Sequence, residues 1–280
     1  MMPFVVGRKE IPYLQQHDQA DLVRNYFSAT QDIFRRWGGN TMAIHYGYYP
    51  NPDSPADHLA SLNSLTNRVV QEAGIKSGDV VLENGCGFGG VSKEVAKLGT
   101  SVYAVDFSSS QIGMAKQGQE LDAQIRFSLQ DFTRLAIRDN FIDHVIFIES
   151  LAHTADKLGA ISEAKRVLKR GGNIVITDCC THNLKNDKLL EIFESGWKAK
   201  IIPIGDMESI FKHLELKLEV TDITGHVLPS IKLAALSAEE HPDTEEVSDT
   251  IKGHRAAAIA FRDMVMAKKI YYFLLTATKE

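Results

Sequence analysis

The sequence predicts an α/β fold in which a mostly parallel sheet carries helices on both faces. Three observations lead there. The apolar run Val80-Val81-Leu82 passes through Glu83 into Gly85-Cys86-Gly87-Phe88-Gly89-Gly90. A short unbroken apolar run fits a strand buried on both faces. Glycines at that spacing make a tight turn into a helix, with no side chains to hold a ligand away from the backbone. Strand-like and helix-like segments then alternate from Asp79 to Asp178, the pattern of a parallel sheet. Finally, Glu83, Asp106, Asp131, Glu149 and Asp178 stand at or just after the ends of the predicted strands. That rim is where such sheets bind ligands.

The elements follow in order. Residues 1–16 read as an irregular arm. Leu22, Val23, Tyr26, Phe27, Ile33, Phe34 and Trp37 share one face of a single helix, which Gly38-Gly39 stops. Residues 40–53 read as a loop, unusually aromatic, with His45, Tyr46, Tyr48 and Tyr49. Ser54-Pro55 opens a helix striped by Leu59, Leu62, Leu65, Val69 and Val70, closed by Gly74. After the glycine turn a helix runs over residues 89–98, a strand over 102–105, and a helix capped by Ser109 to about Glu120. Strands are predicted over 125–129 and 141–148. Thr154 caps the next helix, Gly171-Gly172 ends it, and a fifth strand covers 173–177. Beyond lie a mixed segment with Trp197 and Ile201, a strand over 216–223, an acidic connector over 239–249, a helix over 256–266 and a β-rich run over 269–277. The predicted strands number seven.

Composition narrows the function classes. The chain has 280 residues, enough for one large domain with a substantial core, and its net charge is −5. That charge argues against a nucleic-acid or anionic-membrane surface. The first eleven residues lack the apolar core of a signal peptide. No apolar run approaches the ~18 residues that span a bilayer. The three cysteines, Cys86, Cys179 and Cys180, fit reduced thiols in a cytoplasmic protein, and no Cys/His spacing suggests a metal site. A homo-oligomer is compatible with all of this.

The glycine turn fits two ligands. It satisfies G-x-G-x-x-G, the dinucleotide fingerprint, which keeps an NAD(P)-dependent oxidoreductase open. It also satisfies E-x-G-x-G-x-G. Glu83 favours the second: an anionic pyrophosphate would repel a carboxylate, whereas S-adenosylmethionine (SAM) brings an ammonium and a sulfonium. Asp106, at the end of the second strand, suits ribose hydroxyls in either case.

The motifs Val-Leu-Glu-Asn-Gly-Cys-Gly-Phe-Gly-Gly, Val-Tyr-Ala-Val-Asp-Phe-Ser-Ser-Ser-Gln-Ile, Gln-Asp-Phe, Glu-Ser-Leu-Ala-His-Thr and Arg-Val-Leu-Lys-Arg-Gly-Gly stand in this order. Over residues 75–180 the chain resembles class I SAM-dependent methyltransferases. Arg170 departs from the proline usual before the paired glycines. The resemblance implies a Rossmann-like seven-stranded sheet with an antiparallel last strand. It implies SAM as cofactor, S-adenosylhomocysteine as product, and methyl transfer by in-line displacement at the sulfonium. It implies that Gly85, Cys86, Gly87 and Gly89 approach the methionine part, with Glu83 near its ammonium. Asp106 would hold the ribose, with Phe107 over the adenine and Gln111 nearby. Gln130, Asp131 and Phe132 would serve the adenine edge, and Glu149 the sulfonium end.

Trp37-Gly38-Gly39 with Ile44-His45-Tyr46-Gly47-Tyr48-Tyr49 is similar to segments of sarcosine/dimethylglycine N-methyltransferases and of tocopherol, sterol and prenyl-diphosphate C-methyltransferases. This implies an N-terminal helical cap over residues 1–56 and a methyltransferase domain over 57–280, with a substrate lid at about 183–229. Tyr26, Trp37, Tyr46, Tyr48, Tyr49, Trp197 and Ile201 are the expected acceptor-binding residues. His153 resembles the base of natural-product O-methyltransferases; His45 is a second candidate, and Glu149 would balance positive charge. The expected partner is a small apolar or aromatic metabolite of natural-product or isoprenoid type, with nitrogen, carbon or oxygen as the attacking atom. A SAM-binding protein with cyclase or regulatory activity is the remaining alternative.

Overall fold

The structure, a computed structural model, describes residues 13–53, 57–117, 124–182, 186–241 and 243–280. In chain order the strands are β1 Val80–Asn84, β2 Ser101–Asp106, β3 Ile125–Leu129, β4 Ile142–Ile148, β5 Leu168–Thr181, β6 Lys217–Asp222 and β7 Ile270–Thr278. The helices are α1 Tyr13–Ala29, α2 Gln31–Gly38, α3 His58–Ala73, α4 Gly90–Ala96, α5 Ser109–Lys116, α6 Lys157–Val167, α7 Lys188–Trp197, α8 Ile204–His213, α9 Thr224–Glu240 and α10 Asp249–Met266.

The strands form one sheet in the order β3-β2-β1-β4-β5-β7-β6. β1 to β5 run parallel, and β7 lies antiparallel between β5 and β6. This is the seven-stranded, Rossmann-like arrangement expected. Alternate residues along a strand face opposite sides. Val145, Phe147, Ile174 and Ile176 therefore point into the core under α6 and α8. Ile146, Ile148 and Val175 point into the core shared with α3, α4 and α10. In α3, Leu65, Val69 and Ala73 recur every four residues and are buried against that second face.

The order of the strands reverses between β1 and β4: β2 and β3 lie on one side, β5 on the other. A crevice opens at such a switch point, outside the carboxyl ends of the strands. The glycine turn after β1 and the loop after β4 meet there. Ser150 Oγ donates to the carbonyl of Asn84 at 2.6 Å and ties the two together.

Several local expectations change. The single N-terminal helix is two, and α1 already starts at Tyr13, inside the expected arm. The break is at Thr30, whose hydroxyl donates to the carbonyl of Tyr26 at 2.8 Å and turns the chain. Ser54-Pro55 lies outside the described residues; α3 begins at His58, with Asp57 accepting from Leu59 N–H. Ser108, not Ser109, caps α5, and Asp156, not Thr154, caps α6. Gly171-Gly172 does not end α6, which stops at Val167. Ile142 pairs with Leu168 but His144 with Asn173, so the glycines sit in an excess of β5 residues against β4. A Cβ on Gly172 would strike the carbonyl of Asp143. Asp178 is not at a strand end, because β5 runs on to Thr181. The segment expected as the lid spans several elements. Residues 183–229 hold α7, α8, β6 and the start of α9, and Met207 and Phe211 of α8 belong to the core of the sheet.

Candidate active site

A cavity of about 420 Å³ lies over the switch point. Its floor is Gly85, Gly87, Asp106, Phe107, Gln111 and Phe132. Gly85 and Gly87 have φ of +78° and +52°, which favours glycine. A Cβ on Gly85 would overlap Ser150, and one on Gly87 would meet Ile44 Cδ1 at 2.7 Å. The bare backbone is thus fixed by both strain and space.

Asp106 is shaped by the same turn. Its two oxygens accept from the N–H of Gly87 at 3.1 Å and of Ser108 at 2.8 Å. Burial nevertheless raises its pKa to about 6, against these bonds. Gln111 Oε1 and Tyr46 Oη, both of residues that line the cavity, are buried without a partner among the described residues. Orphaned buried polar atoms of this kind suit a polar ligand.

The walls are aromatic. Tyr26, Phe27, Phe34 and Trp37 come from the first two helices, Tyr46 from the stretch after them, and Trp197 from α7. Tyr46 lies 6.1 Å from Trp37, 6.0 Å from Trp197 and 5.6 Å from Phe261, ring centre to ring centre. Such spacings stabilise aromatic clusters beyond their burial.

Glu149 stands where wall and floor meet, with φ of +51°. Its Oε1 accepts from the N–H of Tyr46 at 2.7 Å and from Tyr272 Oη at 2.6 Å. Burial raises its pKa to about 8 against those bonds. Five imidazoles border the cavity: His45, His58, His153, His241 and His254. Burial lowers His45, His153 and His254 to about 4, so all three are neutral at pH 7.

Comparison with known proteins agrees with this architecture. Residues 82–176 match a family model described as "Methyltransferase domain". The chain is 29% identical over 269 residues to the methyltransferase GfsG of Streptomyces halstedii, covering 92% of this chain and 94% of that one. Two solved structures share the fold. One is the [4+2]-cyclase SpnF, with TM-score 0.80, 22% identity and coverage of 93% and 96%. The other is geranyl diphosphate C-methyltransferase from Streptomyces coelicolor A3(2), solved with Mg2+, geranyl diphosphate and S-adenosyl-L-homocysteine. Its TM-score is 0.71, with 19% identity and coverage of 90% and 98%. The chain is a class I SAM-dependent methyltransferase.

In this methyltransferase the cavity gathers Gly85, Gly87, Asp106, Phe107, Gln111, Phe132, Glu149, His45, His153, Tyr26, Trp37, Tyr46 and Trp197 from the expected residues. Others are elsewhere. Glu83 is buried behind the turn, where it accepts from Ser92 Oγ, and burial raises it to about 8. Cys86 is core, and Gly89 packs against Phe127 and Ala115. Asp131 is exposed and accepts from Thr133 N–H and Oγ1, both at 2.8 Å. Gln130 bonds to Ser128 Oγ and Ala136 N–H beside it. Tyr48 stacks on His226 at 4.6 Å; Tyr49 and Ile201 are core residues away from the cavity.

The sequence reading missed the wall contributed by α9 and α10, including Leu233, Ser237, His254 and Ala258. The signal was faint: His254 sits in a helical stretch of ordinary periodicity. Among the described residues no helix is long and apolar enough to cross a membrane.

Proposed function

We propose that this methyltransferase methylates a small, largely apolar or aromatic metabolite, with a hydroxyl oxygen as the attacking atom. The observation behind this reading is the aromatic cavity that continues directly from the glycine floor. Its walls can desolvate a flat apolar body, and the adjoining floor suits a nucleoside. Gly85 and Gly87 would offer backbone to the methionine part of SAM. Asp106 would accept from the ribose hydroxyls, and Phe107 and Phe132 would flank the adenine with Gln111. Glu149 would favour the positively charged end.

The bound sulfonium supplies an already activated methyl group. The protein's share is to align the acceptor, exclude water and take one proton. His153 is suited to that last task. Its Nδ1 lies 3.4 Å from the carbonyl of Lys198, which can only accept. The proton therefore sits on Nδ1, and Nε2 carries the free lone pair of a general base. Buried Lys157 supports the turn holding His153 by donating to the carbonyls of Leu151 and Thr154. His45 is different: Nδ1 donates to the carbonyl of Tyr46 at 2.7 Å, and Nε2 faces Thr66 Oγ1 at 3.5 Å. With both nitrogens engaged it braces the cap.

Several relatives act on acceptors of this class by their names, among them a 2-methyl-6-phytyl-1,4-hydroquinone methyltransferase of Synechocystis sp.. The test is formation of S-adenosylhomocysteine with a panel of phenolic, isoprenoid, indole and amine acceptors. Turnover on hydroxylated apolar compounds supports the reading; turnover only on small polar amines overturns it.

A further inference from the structure

His254 faces the same cavity from α10, and its back is held differently from that of His153. Its Nδ1 lies 2.8 Å from Tyr26 Oη. Tyr26 is only 2% exposed, and burial pushes its phenol well above its ordinary pKa, so the hydroxyl keeps its proton. A buried O–H needs an acceptor, and His254 Nδ1 is the one the described residues give it. The phenol therefore donates, Nδ1 accepts, and the imidazole proton is placed on Nε2. Trp197 Nε1 donates to the carbonyl of His254 at 3.1 Å, and the ring of Phe34 packs at 5.5 Å. These contacts fix the backbone and the plane of the ring. Nε2 itself has no partner among the described residues and is not one of the sealed, unpartnered atoms.

We infer that His254 is a specificity-determining hydrogen-bond donor, presenting Nε2–H to a carbonyl or ether oxygen of the acceptor, with Tyr26 as the positioning residue that fixes its tautomer. The inference rests on the proposed methylation of an apolar acceptor and deepens it. Two neutral imidazoles in one cavity carry opposite functions because of what stands behind them. A carbonyl behind His153 leaves a lone pair facing forward; a phenol behind His254 leaves an N–H facing forward. The acceptor class that matches both is an apolar skeleton bearing a hydroxyl and, apart from it, a carbonyl or ether oxygen. A site with a buried donor discriminates against analogues lacking the oxygen, since the donor is then unpaired.

Two measurements on the full chain test this. First, 15N spectra of histidine-labelled protein at pH 7 with S-adenosylhomocysteine should place the His254 proton on Nε2, and Tyr26→Phe should release that preference. A proton on Nδ1 in the unaltered protein overturns the inference without any substitution. Second, 2-acetylnaphthalene should bind the S-adenosylhomocysteine-loaded protein roughly threefold to tenfold tighter than 2-ethylnaphthalene, the worth of one neutral hydrogen bond. His254→Phe should remove the difference while S-adenosylhomocysteine affinity is kept. Equal binding of ketone and hydrocarbon, or no ketone binding, overturns the inference. Failure to bind S-adenosylhomocysteine would instead strike the methyltransferase reading, so the two failures are distinct.

Discussion

The floor and the wall of the cavity are built by different means. The floor comes from a single stretch between Gly85 and Ser150 and works largely through backbone: glycines at positive φ and N–H groups bound by Asp106. The wall is assembled from side chains of six α-helices and of the segments that hold Tyr46 and His153, and Tyr26 and His254 are bonded across 228 residues of chain. A floor of backbone suits a ligand common to a family, because backbone geometry changes little with side-chain identity. A wall of long-range side-chain contacts suits a ligand that differs from one member to the next.

The largest effect should sharpen this contrast within the wall. His153→Gln is expected to reduce turnover on a hydroxyl acceptor by roughly 10²–10⁴, the usual worth of a general base, with SAM affinity little changed. His45→Gln should instead lower the unfolding free energy by about 1–3 kcal/mol, the cost of disturbing a buried hydrogen bond. Single-turnover kinetics and urea unfolding check the pair. If His45→Gln stops turnover with stability intact, the two roles are exchanged.

At the floor, Gly85→Ala meets both a φ of +78° and the side chain of Ser150. The strain is on the order of 1–3 kcal/mol, so calorimetry should find SAM binding at least about tenfold weaker. Unchanged affinity would mean the turn tolerates a side chain and has no tight-approach role. Asp106→Asn removes an acceptor while preserving shape. It should weaken SAM by about tenfold, as for a lost charged hydrogen bond, without altering the ketone preference at the wall.

The last test is a pH slope. Glu83 and Glu149 both stand near 8 when folded, raised by burial from an ordinary 4.5. Between those values the unfolded chain has released protons that the folded chain retains. Stability should therefore be greatest below about pH 4.5 as far as these two groups are concerned, and be lost as pH rises toward 8. In cofactor-stripped protein this is expected to lower the unfolding temperature steadily between pH 5 and 8. Glu149→Gln should flatten that slope, and an unchanged slope would mean Glu149 is ionised in the folded state.

The floor was legible because its determinants are contiguous. Gly85, Gly87, Asp106 and Gln111 each sit a fixed number of residues from a strand that the apolar runs reveal. Glu83 shows the limit of that reading. A carboxylate before the turn pointed correctly to SAM over a dinucleotide, yet its side chain faces Ser92 behind the turn, and burial holds it neutral. Tyr48, Tyr49 and Ile201 show the same limit at the wall: their aromatic or apolar character was plain, but core and cavity demand the same residue types.

By itself the sequence determined the seven strands, the glycine turn and the ligand class of the floor. The first two follow from apolar periodicity and from conformations only glycine adopts easily, the third from the carboxylate ahead of the turn and the order of the motifs, all local properties. Only the tertiary structure decided that β7 enters between β5 and β6, that α10 brings His254 to the cavity, and which nitrogen of each histidine faces forward. Those depend on partners far away in the chain: a carbonyl behind one ring and a phenol behind the other. No local pattern records which of the two an imidazole will meet.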